Sequence, residues 1–129
     1  MGQAADVVRA AFERANANDA DGLVELCDQG IEFTDVPEIP GSTTYRGFDG
    51  VRSWLRNAHE IADGLQFELA EVEERGDAVM VETVADMRGR ASGAEVDWRF
   101  WTVWRVRDGL ITYHHGYSRR EDAVADLET

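Results

Sequence analysis

The spacing of hydrophobic residues changes along this chain from a helical period to a strand period. Apolar positions three or four apart predict a helix over residues 3–17 with one buried stripe. A shorter helix is predicted over residues 19–28, with Asp19 or Asp21 as its N-terminal cap. A third helix is predicted over about residues 48–62, so the first half of the chain is mainly helical.

Alternating apolar and polar residues dominate the second half of the chain and predict β-strands. One short strand comes earlier, where Ile31, Phe33 and Asp35 share a face between the second and third helices. A capping box at Ser118–Glu121 predicts a final helix over residues 119–127. Four long strands and three turns complete the pattern: strands 65–75, 78–90, 94–107 and 110–117, with turns at Gly76-Asp77, Ser92-Gly93 and Asp108-Gly109.

The order of these elements is α-α-β-α-β-β-β-β-α, which predicts a single α+β domain over residues 1–129. Sequential strands joined by short turns form an antiparallel meander, and we expect the helices to cover one face of it. Strands of this length curl strongly because of their right-handed twist. We therefore expect a cone-like barrel, in which a curved antiparallel sheet wraps around the N-terminal helices and encloses a small apolar chamber.

The third long strand has two different faces, which predict an inside and an outside. Trp98, Phe100 and Thr102 share the apolar face, so we expect them to line the chamber and bind a ligand. Trp101 and Val103 lie on the opposite face between charged residues. Neighbouring apolar side chains on an outer surface usually mark a partner surface. We therefore expect a homodimer that pairs the two outer sheet faces.

Asp35 is the strongest candidate for a catalytic residue, because it stands at the end of a strand face that also carries Ile31 and Phe33. If that face points inwards, burial raises the pKa of the carboxyl group and makes it a usable general base. The alternative is an aspartate that caps the loop ahead of Pro37 by accepting hydrogen bonds from turn amides. Position in the sequence does not decide between these two roles.

Two histidines and two tyrosines are further candidates. His114 and His115 are adjacent on a strand and face opposite sides of the sheet, so they cannot bind one metal ion together. His115 shares its face with Ile111 and Tyr117, and is the better candidate for a catalytic residue in the chamber. The hydroxyl groups of Tyr45 and Tyr117 need partners when buried, so either can donate to a ligand oxygen.

Composition narrows the classes of function. The chain of 129 residues has a net charge of −13, and all 13 residues counted as lysine or arginine are arginines. An acidic surface repels nucleic acids and anionic membranes, and the absence of lysine excludes Schiff-base chemistry. No metal-ligand spacing is present, so we expect no metal site. The N-terminus shows no signal-peptide pattern and Cys27 is the single cysteine, which favours a cytoplasmic protein.

Five segments also carry a resemblance to a known family. They are Asn18-Asp19-Ala20-Asp21-Gly22-Leu23, Ile31 to Pro37, Tyr45-Arg46-Gly47-Phe48-Asp49-Gly50-Val51, Arg107-Asp108-Gly109-Leu110-Ile111 and Tyr117 to Ala123. Together they resemble the SnoaL-like branch of the nuclear-transport-factor-2-like superfamily, which contains polyketide cyclases and their relatives. The resemblance spans nearly the whole chain and implies a cone-like α+β barrel that usually pairs as a dimer.

The resemblance also implies roles for individual residues. Ketosteroid isomerase belongs to the same superfamily and uses an aspartate as its general base, and that position falls on Asp35. An acid–histidine pair is implicated in the cyclases of this family. Asp35 and His115 are the nearest match to that pair in this chain.

Two functional hypotheses follow. In the first, the protein is an isomerase, cyclase or dehydratase in which Asp35 removes a proton next to the carbonyl group of a hydrophobic compound. His115 or a tyrosine hydroxyl holds the enolate oxygen, and the chemistry requires no cofactor. In the second, the domain is not catalytic and binds an apolar ligand in the chamber, or a protein partner at the dimer face. The residues expected to hold the apolar part of the ligand are Phe33, Trp54, Trp98 and Phe100.

Overall fold

A six-stranded mixed sheet forms the centre of the computed structural model, which describes residues 2–39, 41–89 and 95–129. None of the helices in these ranges is both long and apolar enough to span a membrane. The elements, in chain order, are α1 (Gln3–Asn16), α2 (Ala20–Glu25), β1 (Cys27–Thr34), β2 (Thr44–Arg46), α3 (Gly47–Ile61), β3 (Ala62–Arg75), β4 (Ala78–Gly89), β5 (Glu95–Arg107), β6 (Leu110–Tyr117) and α4 (Arg120–Leu127).

The strands lie in the order β2-β1-β6-β5-β4-β3. Strands β3 to β6 form the antiparallel meander that the sequence predicts. Strand β1 pairs with β6 in parallel and with β2 in antiparallel orientation, so the sheet is mixed rather than purely antiparallel. It is also open, with β2 and β3 at its edges. The α+β, cone-like fold is confirmed, and the closure of the barrel is incomplete.

Local sequence signals account for most of the turns. Asp108 and Gly109 connect β5 to β6 with φ angles of 53° and 80°. Both values are those of a hairpin turn that Asp-Gly pairs favour, because its two central residues require positive φ. The turn predicted at Gly76-Asp77 is confirmed as well, since β3 ends just before it and β4 begins just after it. The turn predicted at Ser92-Gly93 lies outside the described residues.

The helix termini match the sequence signals less consistently. Asp19 caps α2, and its Oδ1 accepts a hydrogen bond from the backbone N–H of Gly22 at 2.9 Å. The helix ends earlier than predicted, at Glu25, because Cys27 already pairs with β6 as the first residue of β1. The prediction of a capping box before α4 is wrong, since Arg119 holds the N-cap position and no side chain caps this helix.

Helix α4 covers part of the outer face of the sheet, which corrects the prediction of an exposed outer patch. Val103 is fully buried, and it packs in one cluster with Ala123 and Leu127 of the helix. Trp101 is only partly buried at the border of this cluster. The helices therefore cover both faces of the sheet rather than one, and Val103 is not available to a partner while α4 is docked. The homodimer itself stays a prediction.

Candidate functional site

The sheet and helices α1 to α3 enclose a cavity of about 240 Å³. Its wall is mainly aromatic, and neighbouring rings contact one another; the ring centroids of Trp98 and Phe100, for example, are 4.6 Å apart. Glu38 and Ile61 also line the cavity and are exposed, so the cavity opens to solvent at this end. The aromatic residues of the wall are Phe12, Phe33, Trp54, Phe67, Trp98, Phe100 and Trp104.

Asp35 follows the last residue of β1 and lies at the wall of this cavity, with only 6% of its surface exposed. The backbone N–H of Val36 donates to its Oδ1 at 3.0 Å, and the indole N–H of Trp54 donates to the same carboxyl group. Burial raises the pKa of Asp35 from 3.8 to about 6, although the two hydrogen bonds oppose the shift. Asp35 is thus ionised at neutral pH but far more basic than an exposed aspartate.

His114, and not His115, reaches the cavity wall. The predicted alternation fails because β6 contains a β-bulge: Ile111 and Tyr113 have partners on adjacent residues of β5, and Thr112 between them has none. The extra residue moves every following side chain to the opposite face. His115 therefore lies on the outer face of the sheet, and its expected role as a catalytic residue in the chamber is withdrawn.

The ring of His114 is part of the aromatic wall. It stacks on Phe33 with centroids 3.8 Å apart and contacts Trp104 at 4.5 Å. Burial, together with the charge of His115, lowers the pKa of His114 from 6.5 to about 3, and a hydrogen bond with the backbone of Thr34 opposes the shift only in part. His114 is consequently neutral across the physiological pH range.

Neither of the two predicted tyrosines lines the cavity. The hydroxyl of Tyr117 donates to Oδ2 of Asp126 in α4 at 2.8 Å, on the outer face to which the bulge directs it. Tyr45 lies on the edge strand β2, and its hydroxyl accepts a hydrogen bond from Nδ2 of Asn57 at 3.4 Å. Helix α3 follows β2 directly and packs on it, so Tyr45 contacts this helix instead of the cavity.

The other predicted contact residues do lie on the wall: Phe33, Trp54, Trp98, Phe100 and Thr102. Sequence reasoning did not select Phe12, Phe67, Thr83 or Trp104 as ligand contacts. The positions of two of them on their strands could have indicated that they line the cavity. Trp104 shares the alternating face of β5 with Thr102, and Thr83 lies directly opposite Phe100 on the neighbouring strand β4.

The polar groups of the wall limit its chemistry. Among the wall residues that the structure describes, Asp35, Glu38 and His114 are titratable and none is an arginine. The described residues contain no group of three or more side chains that can hold a metal ion. The arrangement is an apolar container with one buried carboxylate, which suits proton transfer in a hydrophobic ligand.

Solved structures share this fold over almost their whole length. An NTF2-like protein from Burkholderia thailandensis is 25% identical with a TM-score of 0.80, and the match covers 100% of this chain and 99% of that chain. A putative SnoaL-like polyketide cyclase from Jannaschia sp. CCS1 is 17% identical with a TM-score of 0.77, covering 97% and 90%. A hypothetical protein with a ketosteroid isomerase-like fold from Catenulispora acidiphila, in complex with trimethylamine, is 16% identical with a TM-score of 0.77, covering 95% and 92%.

None of the curated proteins compared with this chain matches its sequence. The family model of the SnoaL-like domain, by contrast, matches residues 8–114. The matched region runs from α1 to β6 and includes Asp35, Thr102 and His114. The resemblance found in the sequence is therefore confirmed at the level of the family, and this chain belongs to the family of SnoaL-like domains.

Proposed function

We propose that this protein is a cofactor-independent enzyme that transfers a proton at a carbon next to a carbonyl group in a hydrophobic compound. The reaction class is isomerisation, cyclisation or dehydration. One observation carries the proposal: Asp35, with its pKa raised to about 6, lies buried at the wall of an aromatic cavity. A base whose pKa lies close to the working pH combines a large ionised fraction with useful basicity.

The proposed step begins with the ionised carboxylate of Asp35. One carboxylate oxygen takes the proton from the α-carbon, and the electrons of the broken C–H bond move into the carbonyl group to form an enolate. Protonated Asp35 then returns the proton at another carbon, which completes an isomerisation. In a cyclisation the enolate carbon attacks a second carbonyl of the same molecule, and the alkoxide formed there takes the proton back from Asp35. In a dehydration the enolate expels a β-hydroxyl group, which leaves as water with the proton of Asp35.

The wall composition supports a neutral, apolar substrate. Seven aromatic side chains line the cavity, and no arginine does so among the described residues. An anionic substrate would lie beside Asp35 without a compensating positive charge, which is unfavourable in an apolar environment. The family likeness agrees with this class, since one of the structural relatives is named as a putative polyketide cyclase. That likeness supports the fold and the choice of test compounds, whereas the proposed proton transfer depends on Asp35 itself.

Hydrogen–deuterium exchange at an activated carbon tests the proposal directly. The probe is 2-tetralone in D₂O, whose α-protons are lost from the proton NMR spectrum as exchange proceeds. We expect the wild-type protein to accelerate exchange, with a rate that rises with pH around the pKa of Asp35, about 6. Asp35→Asn should lower the rate by about 100-fold or more, since it removes the base. Glu38→Gln, which changes an exposed carboxyl group at the cavity mouth, should retain the wild-type rate.

A non-catalytic binding role is the second candidate, and one observation favours it. Because the pKa of His114 is lowered to about 3, this histidine carries no positive charge beside Asp35 at neutral pH and offers no imidazolium to stabilise an enolate. If the protein only binds, 2-tetralone should quench the fluorescence of the cavity tryptophans, while deuterium exchange of 2-tetralone stays at the rate measured in buffer alone. The same result in the wild type and in Asp35→Asn would exclude the enzymatic proposal and support the binding role.

A further inference from the structure

Three side chains on one wall of the cavity form a short chain of hydrogen bonds. The indole N–H of Trp104 donates to Oγ1 of Thr102 at 2.8 Å. Oγ1 of Thr83 lies 3.3 Å from the carbonyl oxygen of Val81 and 3.4 Å from Oγ1 of Thr102. Both threonines are buried, with 0% and 2% of their surfaces exposed, and both line the cavity. They are therefore hydroxyl groups placed in an otherwise aromatic wall.

The chemistry of the end groups sets the direction of these hydrogen bonds. An indole N–H can only donate and a backbone carbonyl oxygen can only accept. The Thr102 oxygen thus accepts from Trp104, and the Thr83 hydroxyl donates to Val81. Among the described residues, the only acceptor left for the hydroxyl proton of Thr102 is the Thr83 oxygen at 3.4 Å, which is long for an O–H···O bond. The Thr102 hydroxyl can therefore turn its proton into the cavity with little loss of hydrogen-bond energy.

The register of the sheet places this hydroxyl within reach of a ligand held at Asp35. Thr102 pairs with Gly116 across β5 and β6, and Thr34 pairs with His115 across β1 and β6. Asp35, one residue after Thr34, is thus level with Thr102 and two strands away from it. Two strand spacings put their backbones roughly 10 Å apart. With both side chains directed into the cavity, the remaining gap suits a small ring system.

We propose that Thr102 is a specificity-determining residue that donates a hydrogen bond to an acceptor oxygen, such as a ketone or quinone carbonyl, on a neutral aromatic or alicyclic ligand. The inference rests on the proposed function, since it takes the carbonyl compound to react at Asp35. The donor N–H of Trp104 polarises the Thr102 hydroxyl, because hydrogen bonds in a chain strengthen one another in an apolar environment. The cavity should consequently prefer a carbonyl compound to a hydrocarbon of the same shape.

Binding of a matched pair of probes to the full-length protein tests this proposal. The pair is 2-acetylnaphthalene and 2-isopropenylnaphthalene, in which a CH₂ group replaces the carbonyl oxygen. Quenching of tryptophan fluorescence gives the two dissociation constants. Infrared spectroscopy of the ketone labelled with ¹³C at the carbonyl reports whether that carbonyl accepts a hydrogen bond, which a change in packing alone would not reproduce. The variants are Thr102→Val, Thr102→Ser and Thr83→Val.

Thr102→Val, which keeps the side-chain shape and removes the hydroxyl, should weaken ketone binding by about 5- to 10-fold relative to the alkene. The carbonyl band should move to higher frequency at the same time. Thr102→Ser should restore both the preference and the band position. Thr83→Val should bind the ketone at least as tightly as the wild type does, since it removes the competing acceptor. A wild-type protein without preference for the ketone, or a Thr102→Val variant with an unchanged band, would overturn the proposal.

These measurements test the role of Thr102 in binding separately from the role of Asp35 in catalysis. Asp35→Asn should retain the preference for the ketone and the shifted carbonyl band, because it leaves Thr102 and Trp104 in place. If the wild type shows the Thr102-dependent preference but no deuterium exchange, the catalytic proposal fails and the binding site stands. If exchange depends on Asp35 while Thr102→Val binds both probes as the wild type does, the specificity role of Thr102 fails alone.

Discussion

Phe33 and His114 stack face to face across the parallel pair of β1 and β6, with ring centroids 3.8 Å apart and an angle of 15° between the ring planes. The stack lies in the cavity wall and removes the imidazole from water. Burial is the main reason that the pKa of His114 falls from 6.5 to about 3. His114, which the sequence did not single out as catalytic, thereby becomes part of the aromatic wall, and among the described wall residues Asp35 is the buried titratable group with a pKa near neutrality.

We expect His114→Phe to change how stability depends on pH. The unfolded chain binds a proton at this histidine below about pH 6.5, whereas the folded protein does so only near pH 3. The wild type therefore loses stability as the pH falls from 6.5 towards 3, with a maximum slope of about 1.4 kcal/mol per pH unit from this group. In urea unfolding, the free energy of unfolding of the variant should increase relative to that of the wild type as the pH falls over that range. Parallel stability curves for the two proteins would contradict a buried neutral histidine.

Asp35→Asn should have the opposite pH dependence. The pKa of Asp35 is raised from 3.8 to about 6 by burial, so the folded state holds its proton more tightly than the unfolded chain does. The wild type thus loses stability as the pH rises through this window, by up to about 3 kcal/mol once the carboxyl group is ionised. The variant should be more stable than the wild type at about pH 8 and similar to it below pH 4. An equal difference at both pH values, measured by urea unfolding, would argue against a buried Asp35.

Asp126 should be essential for the docking of α4. Its carboxyl group accepts hydrogen bonds from Tyr113 at 2.6 Å, Tyr117 at 2.8 Å and Arg105 at 2.9 Å. Burial alone would raise the pKa of Asp126, but these donors outweigh it and lower the pKa. Asp126→Ala leaves all three donors without this partner and should reduce the free energy of unfolding by about 2–3 kcal/mol. Asp122→Ala, an exposed position on the same helix, should change stability by less than about 0.5 kcal/mol.

Hydrogen exchange identifies the mechanism of that loss. If Asp126 acts by holding α4 on the sheet, amide protection in Asp126→Ala should fall in residues 120–127 and in the strands that they contact, β4, β5 and β6. A uniform loss of protection across the chain, or full protection of α4, would contradict this role. The comparison with Asp122→Ala separates helix docking from a general effect of removing negative charge.

Gly116→Ala should disturb the site without touching the cavity wall directly. A Cβ atom at Gly116 would lie 2.5 Å from Cγ2 and 3.0 Å from the backbone N of Val36, the residue whose N–H donates to Asp35. We expect a loss of about 1–3 kcal/mol in the free energy of unfolding from overpacking, together with slower deuterium exchange of 2-tetralone. Gly30→Ala is the matched control, because its Cβ would meet only the side chain of Asp28 at 3.2 Å. Equal effects of the two substitutions would refute the close contact at Val36 as the cause.

Local periodicity determined a large part of this protein. Apolar residues spaced for a helix or for a strand identified nearly all the elements, because these periods follow from backbone geometry within a single segment. The same alternation placed the wall residues of β1 and β5 correctly. No knowledge of the rest of the fold was required to assign Phe33 on β1 and Asp35 just after it to one face, or Trp98, Phe100 and Thr102 on β5 to one face.

Contacts between segments distant in sequence decided the remainder. The bulge at Thr112 arises in the pairing of β6 with β5, and it exchanges His115 for His114 at the cavity wall. The parallel pairing of β1 with β6 stacks Phe33 on His114, and the return of α4 to the sheet buries Val103. None of these features has a signature in a single stretch of residues. Each depends on which segments meet and in what register, and only the packing of the whole chain determines that.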